Sequence, residues 1–500
     1  MSTPQVEIAS GRISGRRDDG VDAFLGVPYA APPTGAERFL APQPVSPWSG
    51  VRDATAFGTA SLQNALDAGA LPGMDVGAQD EDCLTLNVFT PAADGGKRPV
   101  MVWIHGGAFV IGASSQAIYD GRPLVRAGDV VVVTINYRLG ALGFLDLAPR
   151  FGDAARTSGN LGVRDQIAAL EWVRENIARF GGDPDNVTIF GESAGGMSVG
   201  TLLGSPAARG RFGRAIPQSG AAHNAHDPET AARVLDFFLR EIGVSEWNDL
   251  REAPLERILA AQMQCTLRAA ELGVLLPFQP VVGDDVLPEP PLDAVRAGNA
   301  ADVSTLIGTT RNEWSLFAFM DAGLMSLDDA GLRARAAERV GADAASRVVE
   351  AYRKQAPASS PAEHFIALET DRVFRAPAAR LADAQAAHAP VYAYEFAWAS
   401  PAMGGALGAC HALELPFVFG TLDAPGMAGF AGVGEEAQAM SENVMSAWLA
   451  FARNGDPSHG GLPGWPRHDA AARPTLVLDR DPRVELAPRA ATLKVWEGLR

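Results

Sequence analysis

An α/β fold built on a largely parallel central sheet is predicted by three features of this sequence. Val100-Met101-Val102-Trp103-Ile104 and Val130-Val131-Val132-Val133-Thr134-Ile135 are near-continuous apolar runs of strand length, the mark of strands covered on both faces. Ile167, Leu170, Val173 and Ile177 then recur at helical spacing, which predicts a helix near residues 163 to 179 stopped by Gly181-Gly182. A third run, Val187-Thr188-Ile189-Phe190, passes directly into Gly191-Glu192-Ser193-Ala194-Gly195-Gly196 and a small-residue helical stretch. Strand, helix and strand alternate, so βαβ units with right-handed crossovers are expected.

Taken in order, residues 5 to 30 read as short β-ribbons (Val6 to Ile8, Gly11 to Gly15, Phe24 to Val27) with a turn at Asp19-Gly20. Residues 31 to 50 are proline-punctuated coil, and residues 59 to 80 are loop-like, a candidate flap. Beyond Ser193, further strands are expected at Arg214 to Gln218, Val303 to Ile307, Val391 to Ala397 and Thr475 to Leu478. Helical stretches separate them near residues 228 to 242, 329 to 355, 372 to 388 and 436 to 453. No internal repeat or low-complexity linker divides the chain, so residues 1 to 500 are expected to form one domain with helical insertions roughly over 225–300 and 315–388.

Composition narrows the function classes. With 47% hydrophobic and 20% charged residues, the 500-residue chain has an ordinary globular balance. A formal net charge of −17 and the lack of a Lys/Arg run argue against nucleic acid as a partner. Three widely spaced cysteines, Cys83, Cys265 and Cys410, form neither a disulfide framework nor a zinc pattern. The opening residues lack a basic, then apolar, leader, and no uncharged apolar run approaches the roughly 18 residues of a membrane span, so a cytoplasmic protein with no membrane partner is expected.

The turn at Ser193 carries the chemistry. GxSxG between a strand and a helix is the nucleophile elbow of the α/β-hydrolase fold, where glycines two residues either side let the backbone fold tightly beneath an exposed serine Oγ. A serine hydroxyl needs a base, and the base needs a third group to fix its tautomer. In that fold the order is Ser, then an acid, then His. Seven of the eight histidines follow Ser193. His411, on a Gly/Ala/Ser coil after a buried strand, has the expected position; His388, His459 and His468 fall at a helix end or in coil, and His223 with His226 lacks a third metal ligand. For the acid, Glu313 shortly after the strand at 303 to 307 is preferred over Asp284, Asp285, Asp302 and Asp321. His105-Gly106-Gly107-Ala108-Phe109, directly after a strand, supplies backbone able to turn amides toward an oxyanion, and the elbow adds the amide of Ala194. His105 would brace that turn and not act as the base. Dinucleotide binding at Gly191 to Gly196 fails because the GxGxxG order is absent.

These residues resemble the type-B carboxylesterase/cholinesterase family, most of all its bacterial para-nitrobenzyl esterases. Phe180 to Pro184 with Val187 to Gly196 is similar to the family's serine signature, and Glu81 to Val88 to its second signature. Gly26 to Ala30, Arg38-Phe39, Trp48 to Gly50, Asn136 to Arg138, Gln218 to Gly220, His411 to Phe419 and Asn454 to Pro457 resemble other landmarks in the same order. The resemblance implies a serine carboxylesterase acting on small-molecule esters without cofactor or metal, as a monomer or small homo-oligomer. It implies Ser193 as nucleophile, Glu313 as acid, His411 as base and the amides of Gly107, Ala108 and Ala194 as oxyanion hole. Glu192 would lie beside the serine and Ser219 would hydrogen-bond near the acid. A catalytically dead binding relative would lack the nucleophile, whereas all three triad residue types are present here. Two departures stand out: Trp314 follows the acid where the family usually has Gly, and Ser61 replaces the cysteine that secreted relatives pair with the position of Cys83. Phe109, Trp314, Phe317 and Phe319 would suit an apolar acyl or aromatic alcohol group.

Overall fold

The computed structural model describes residues 3–64, 74–321 and 323–499. Its centre is an 11-stranded sheet. In chain order the strands are β1 (Arg16–Asp18), β2 (Val21–Pro28), β3 (Thr85–Thr90), β4 (Arg98–Ile104), β5 (Val131–Ile135), β6 (Gly182–Glu192), β7 (Arg214–Gln218), β8 (Ser304–Thr310), β9 (Val391–Phe396), β10 (Pro474–Leu478) and β11 (Arg483–Leu486). Across the sheet they lie β11-β10-β9-β8-β7-β6-β4-β5-β3-β2-β1. Every pairing from β10 to β5 is parallel. The two ends are closed by antiparallel neighbours.

This order creates a crevice. From β4 the chain moves outward to β5, then returns to place β6 on the other side of β4 and builds toward β10. Loops leaving the carboxyl ends of β4 and β6 therefore diverge, and such a switch point is where open α/β sheets hold their ligands. The loop after Ile104 and the turn after Glu192 both open there.

Alternation along the strands divides the core into two layers. Val100, Val102 and Ile104 of β4 join Val131, Val133 and Ile189 beneath α1 (Leu161–Asn176) and α2 (Ala194–Gly204). Met101, Trp103, Val132 and Phe190 face the other way, onto Val444, Trp448 and Phe451 of α3 (Glu435–Asn454). Near-complete burial of β4, β5 and β6 on both faces explains why their sequences read as unbroken apolar runs. A smaller third core gathers Leu332, Val348, Phe365 and Leu368 from the helices between β8 and β9 around Trp496.

Several expectations need adjustment. The stretch 329 to 355 is two helices, Asp329–Val340 and Ala342–Gln355, parted at Gly341, whose φ of 78° an alanine would resist. The stretch near 372 opens as a π-helical turn, Asp371–Arg375, before Ala376–Ala386. Strands β3 and β11 carried no recognised strand signal: Thr85, Asn87 and Thr90 interrupt the apolar pattern of β3, and β11 is a partly exposed edge. The first two ribbons leave the main sheet and form a separate three-stranded sheet with Val51–Asp53. Of the candidate flap, Ala60–Ser61 pairs with Gln79–Asp80, and residues 65–73 lie outside the described residues. Among the described residues no helix is long and apolar enough to cross a membrane.

A buried ion pair ties the loop after β5 to α1. Arg138 donates to Asp165 through Nε at 2.8 Å and Nη2 at 2.7 Å, with side-chain exposures of 4% and 0%. Removing one partner strands the other charge in the core. Asp165→Ala is therefore expected to lower the free energy of unfolding by about 3–5 kcal/mol in chemical denaturation; a loss of roughly 1 kcal/mol or less, typical of an exposed pair, would contradict this.

Candidate active site

The sharp turn at the end of β6 is enforced by packing. Ser193 sits at φ 56°, ψ −124°, its amide donating to the Gln218 carbonyl of β7 at 3.0 Å and its carbonyl accepting from the Met197 amide at 2.8 Å. A side chain on Gly191 would bring a Cβ within 2.6 Å of the Gly195 backbone and 2.7 Å of the Ile104 carbonyl. Cβ atoms on Gly195 and Gly196 would strike the Ile104 and Gln218 carbonyls. Small residues are thus required for β4, β6, β7 and α2 to close around one serine.

Glu313 lies on the turn after β8 and is wholly buried. Its Oε1 accepts the Ser219 hydroxyl at 2.6 Å and the Thr310 amide at 2.7 Å, leaving Oε2 for His411 Nδ1 at 2.6 Å. These contacts orient the imidazole so that Nδ1 carries a proton toward the carboxylate and Nε2 looks at the elbow. There Nε2 lies 3.1 Å from Glu192 Oε1. That oxygen nevertheless has no hydrogen-bond partner among the described residues, so the contact is a close charge pairing out of line for a hydrogen bond. Ser219 itself is held at φ 44°, with its amide on the Gly308 carbonyl at 2.9 Å.

Charge is concentrated behind the histidine. Burial disfavours the imidazolium, but Glu192, Glu313 and Glu414 outweigh it and raise His411 to about 9. Burial, with Glu414 and Glu313 nearby, pushes the Glu192 carboxyl well above its ordinary range while His411 pulls it down. Glu192 and His411 therefore compete for one proton. Burial and Glu313 bring Glu414 to about 7; its Oε1 accepts from Gln218 Nε2 at 3.1 Å, and Gln218 Oε1 from Trp448 Nε1 at 3.0 Å.

The loop after β4 faces the elbow: a Cβ on Gly106 would lie 3.1 Å from Ser193 Cβ. Gly107, Ala108 and Phe109 take φ values of 109°, 54° and 61°, an unusual run of positive φ. The Gly107 carbonyl accepts from Val110 and Ile111, both at 3.0 Å. The amides of Gly107 and Ala108 find no acceptor among the described residues. Ala194 opens α2 with a first-turn amide that has no partner within the helix. His105 braces the loop, stacked on Tyr137 at 4.6 Å with Nδ1 donating to the Gly106 carbonyl at 2.8 Å; burial pushes it down to about 4, leaving it neutral.

Aromatic rings wall the histidine. Phe317 and Phe374 lie 5.1 and 4.8 Å from its ring, and Trp314 packs on Phe317 at 4.9 Å. The Trp314 amide donates to Thr370 Oγ1 at 3.0 Å, and all three contacts of Glu313 stay intact beside the indole. Phe109 instead packs on Phe144 in the core, and Phe319 is substantially exposed. The rival acids lie elsewhere: Asp284 and Asp285 pair with Arg164, Asp321 pairs with Arg335, and Asp302 is an exposed residue just before β8. His226 is satisfied by the Pro277 carbonyl and Gln279, and His468 is tied through Nε2 to Asp383. Among the described residues no three His, Cys, Asp or Glu side chains gather as a metal site. Cys83, Cys265 and Cys410 are free and buried. Sequence reasoning missed Phe374 and Glu414, the first on a distant insertion without local signal, the second a plain glutamate three residues after His411.

The family model described as the carboxylesterase family matches residues 2–496. The para-nitrobenzyl esterase of Bacillus subtilis (strain 168) is 42% identical over 482 residues, covering 96% of each chain. The phenmedipham hydrolase of Pseudarthrobacter oxydans is 37% identical, covering 96% of this chain and 95% of that protein. Among solved structures, the carboxylesterase EST55 of Geobacillus stearothermophilus at pH 6.2 superposes with a TM-score of 0.89 at 42% identity, covering 98% of this chain and 99% of that one.

Because Glu192 opposes deprotonation of His411, Glu192→Gln is expected to lower the titration midpoint of His411. Nuclear magnetic resonance of the ring C–H signals of a histidine-labelled sample, which contains only eight histidines, measures this directly. An unmoved or raised midpoint would contradict the charge arrangement.

Proposed function

This chain belongs to the carboxylesterase family and is a carboxylic ester hydrolase, and we propose that it works through an acyl-enzyme formed on Ser193. His411 Nε2 removes the Ser193 proton as Oγ attacks the ester carbonyl. The imidazolium so formed is stabilised by Glu313 through Nδ1–H. The amides of Gly107, Ala108 and Ala194 meet the oxyanion, each donor being worth about 10²- to 10³-fold in turnover. His411 then returns the proton to the leaving alcohol, and the reverse sequence with water releases the acid. The chain itself supplies nucleophile, base and donors, so the chemistry calls for no cofactor.

One observation carries this reading: a fully buried Glu313 held by Ser219 and Thr310 on one oxygen and bonded to His411 at 2.6 Å by the other. Such a carboxylate fixes one tautomer, in which Nε2 is the unprotonated nitrogen that acts as base. Trp314, Phe317 and Phe374 favour esters with an apolar or aromatic group, the kind named in the para-nitrobenzyl relative. Residues 1 to 500 are read as one catalytic domain with helical insertions, because β7, β8 and β9 flanking the insertions belong to one sheet. Free, buried cysteines suit a reducing cytoplasm. The substrate is a small molecule, and a monomer or small homo-oligomer suffices because every proposed catalytic group comes from one chain.

Ser193→Ala is expected to abolish para-nitrophenyl ester hydrolysis and labelling by a fluorophosphonate; retained hydrolysis would overturn the proposal. Glu313→Gln should lower kcat by about 10⁴-fold in steady-state assays, the scale seen when a triad acid loses its charge. Near-normal turnover would remove Glu313 from the role of acid.

A further inference from the structure

The segment that brings Phe374 to His411 is a π-helical turn, Asp371–Arg375, between the helices Pro361–Thr370 and Ala376–Ala386. A π turn adds a residue to the helical ladder at a cost in hydrogen-bond geometry, and such turns recur at functional sites. Here one side chain meets the histidine of the pair and the next meets the loop that presents its acid. Phe374 meets the His411 ring at 4.8 Å. Arg375, 9% exposed, directs Nη2 at the carbonyls of Arg311 (2.8 Å) and Thr310 (3.3 Å).

Those carbonyls belong to the short loop that presents Glu313. The same loop donates its amides outward: Thr310 to Glu313 Oε1 at 2.7 Å, Arg311 to the Phe396 carbonyl at 2.8 Å and Asn312 to the Ala409 carbonyl at 2.8 Å. Arg375 supplies the donors that complete this set. It is aimed by Asp371, which accepts from Arg375 Nη1 and, through Oδ2, from the Tyr352 hydroxyl at 2.7 Å; Trp496 Nε1 donates to that hydroxyl at 2.8 Å. Arg375 Nε is buried and has no partner among the described residues. A guanidinium kept in the core with one donor unmet is a poor choice for stability alone, since a buried ion pair rarely outperforms apolar packing.

We infer that Arg375 is a positioning residue for the Glu313–His411 pair: its guanidinium, delivered by the π turn, holds the Thr310 and Arg311 carbonyls and so keeps Glu313 Oε2 on His411 Nδ1. The inference rests on the triad proposed above. The charged groups facing Arg375 are Asp371, Glu395 and Glu313, and those facing His411 are Glu313, Glu192 and Glu414.

The test is the double variant Asp371→Asn/Arg375→Met, which removes one charge of each sign and leaves the net field nearly unchanged. A loosened Glu313 is expected to lower kcat by about 10²-fold, the scale of a small misplacement of catalytic groups, with KM little altered. Fluorophosphonate labelling of Ser193 should slow in parallel, and the His411 midpoint should fall as its carboxylate partner drifts. A cooperatively folded double variant with wild-type kcat and an unmoved midpoint would overturn the inference. If the double variant does not fold, Arg375→Lys replaces it: it keeps the charge but offers a point donor for a planar fork. The same signature, smaller in size, is expected, and wild-type kcat and midpoint overturn the inference. Wild-type behaviour here together with an inactive Glu313→Gln overturns only the role of Arg375; a fully active Glu313→Gln overturns the triad instead.

Discussion

Ser193 is held in a backbone conformation that an L-residue avoids, at φ 56° and ψ −124°, and the rest of the site depends on that strain being sustained. Such a conformation costs of order 1–3 kcal/mol and persists only where the surroundings over-determine it. They do so through close approach of backbones: Gly191, Gly195 and Gly196 leave no room for a Cβ between β4, β6, β7 and α2. The same closeness sets the loop after β4 against the elbow, so the feature that lifts the serine also brings the proposed oxyanion donors to it. A larger residue at any of these glycines would separate the two halves of the site together.

The second constraint is electrostatic. Glu192, Glu313 and Glu414 crowd one imidazole in a buried region where like charges repel strongly and unpaired ones are costly. Only Glu313 is fully met by donors, from Ser219, Thr310 and His411. Glu192 is driven toward its protonated form by burial and by Glu414 and Glu313, and Glu414 by burial and Glu313. One carboxyl group fully met by donors beside two reluctant ones tunes the histidine without leaving the core with three bare charges.

Much of this was legible because the deciding residues act locally or sit at fixed points of strand and turn. β4, β5 and β6 announced themselves by apolar runs, since burial on both faces removes the polar alternation that marks other strands. Ser193, Gly107 and His411 were readable from the strands before them, and Glu313 from its spacing after β8. The unexpected parts lie where the cause is distant in sequence. Thr85, Asn87 and Thr90 of β3 are polar yet buried, and Asn87 bonds Ser114 and Thr134 across the sheet, so no apolar pattern could reveal that strand. Phe109 looks like a pocket residue by position, but positive φ turns its ring down onto Phe144. Phe374 and Arg375 acquire their roles only through a π turn inside an insertion. Trp314, the departure next to Glu313, packs on Phe317 and leaves Glu313 undisturbed.

Ester cleavage is proposed to pass through a covalent bond to Ser193. Rapid-quench mass spectrometry during turnover of a para-nitrophenyl ester tests it most directly. A transient acyl adduct is expected on the peptide carrying Gly191 to Gly196, formed no more slowly than the alcohol is released and decaying as the acid appears. Turnover with no adduct, or with the acyl group on another residue, would contradict it.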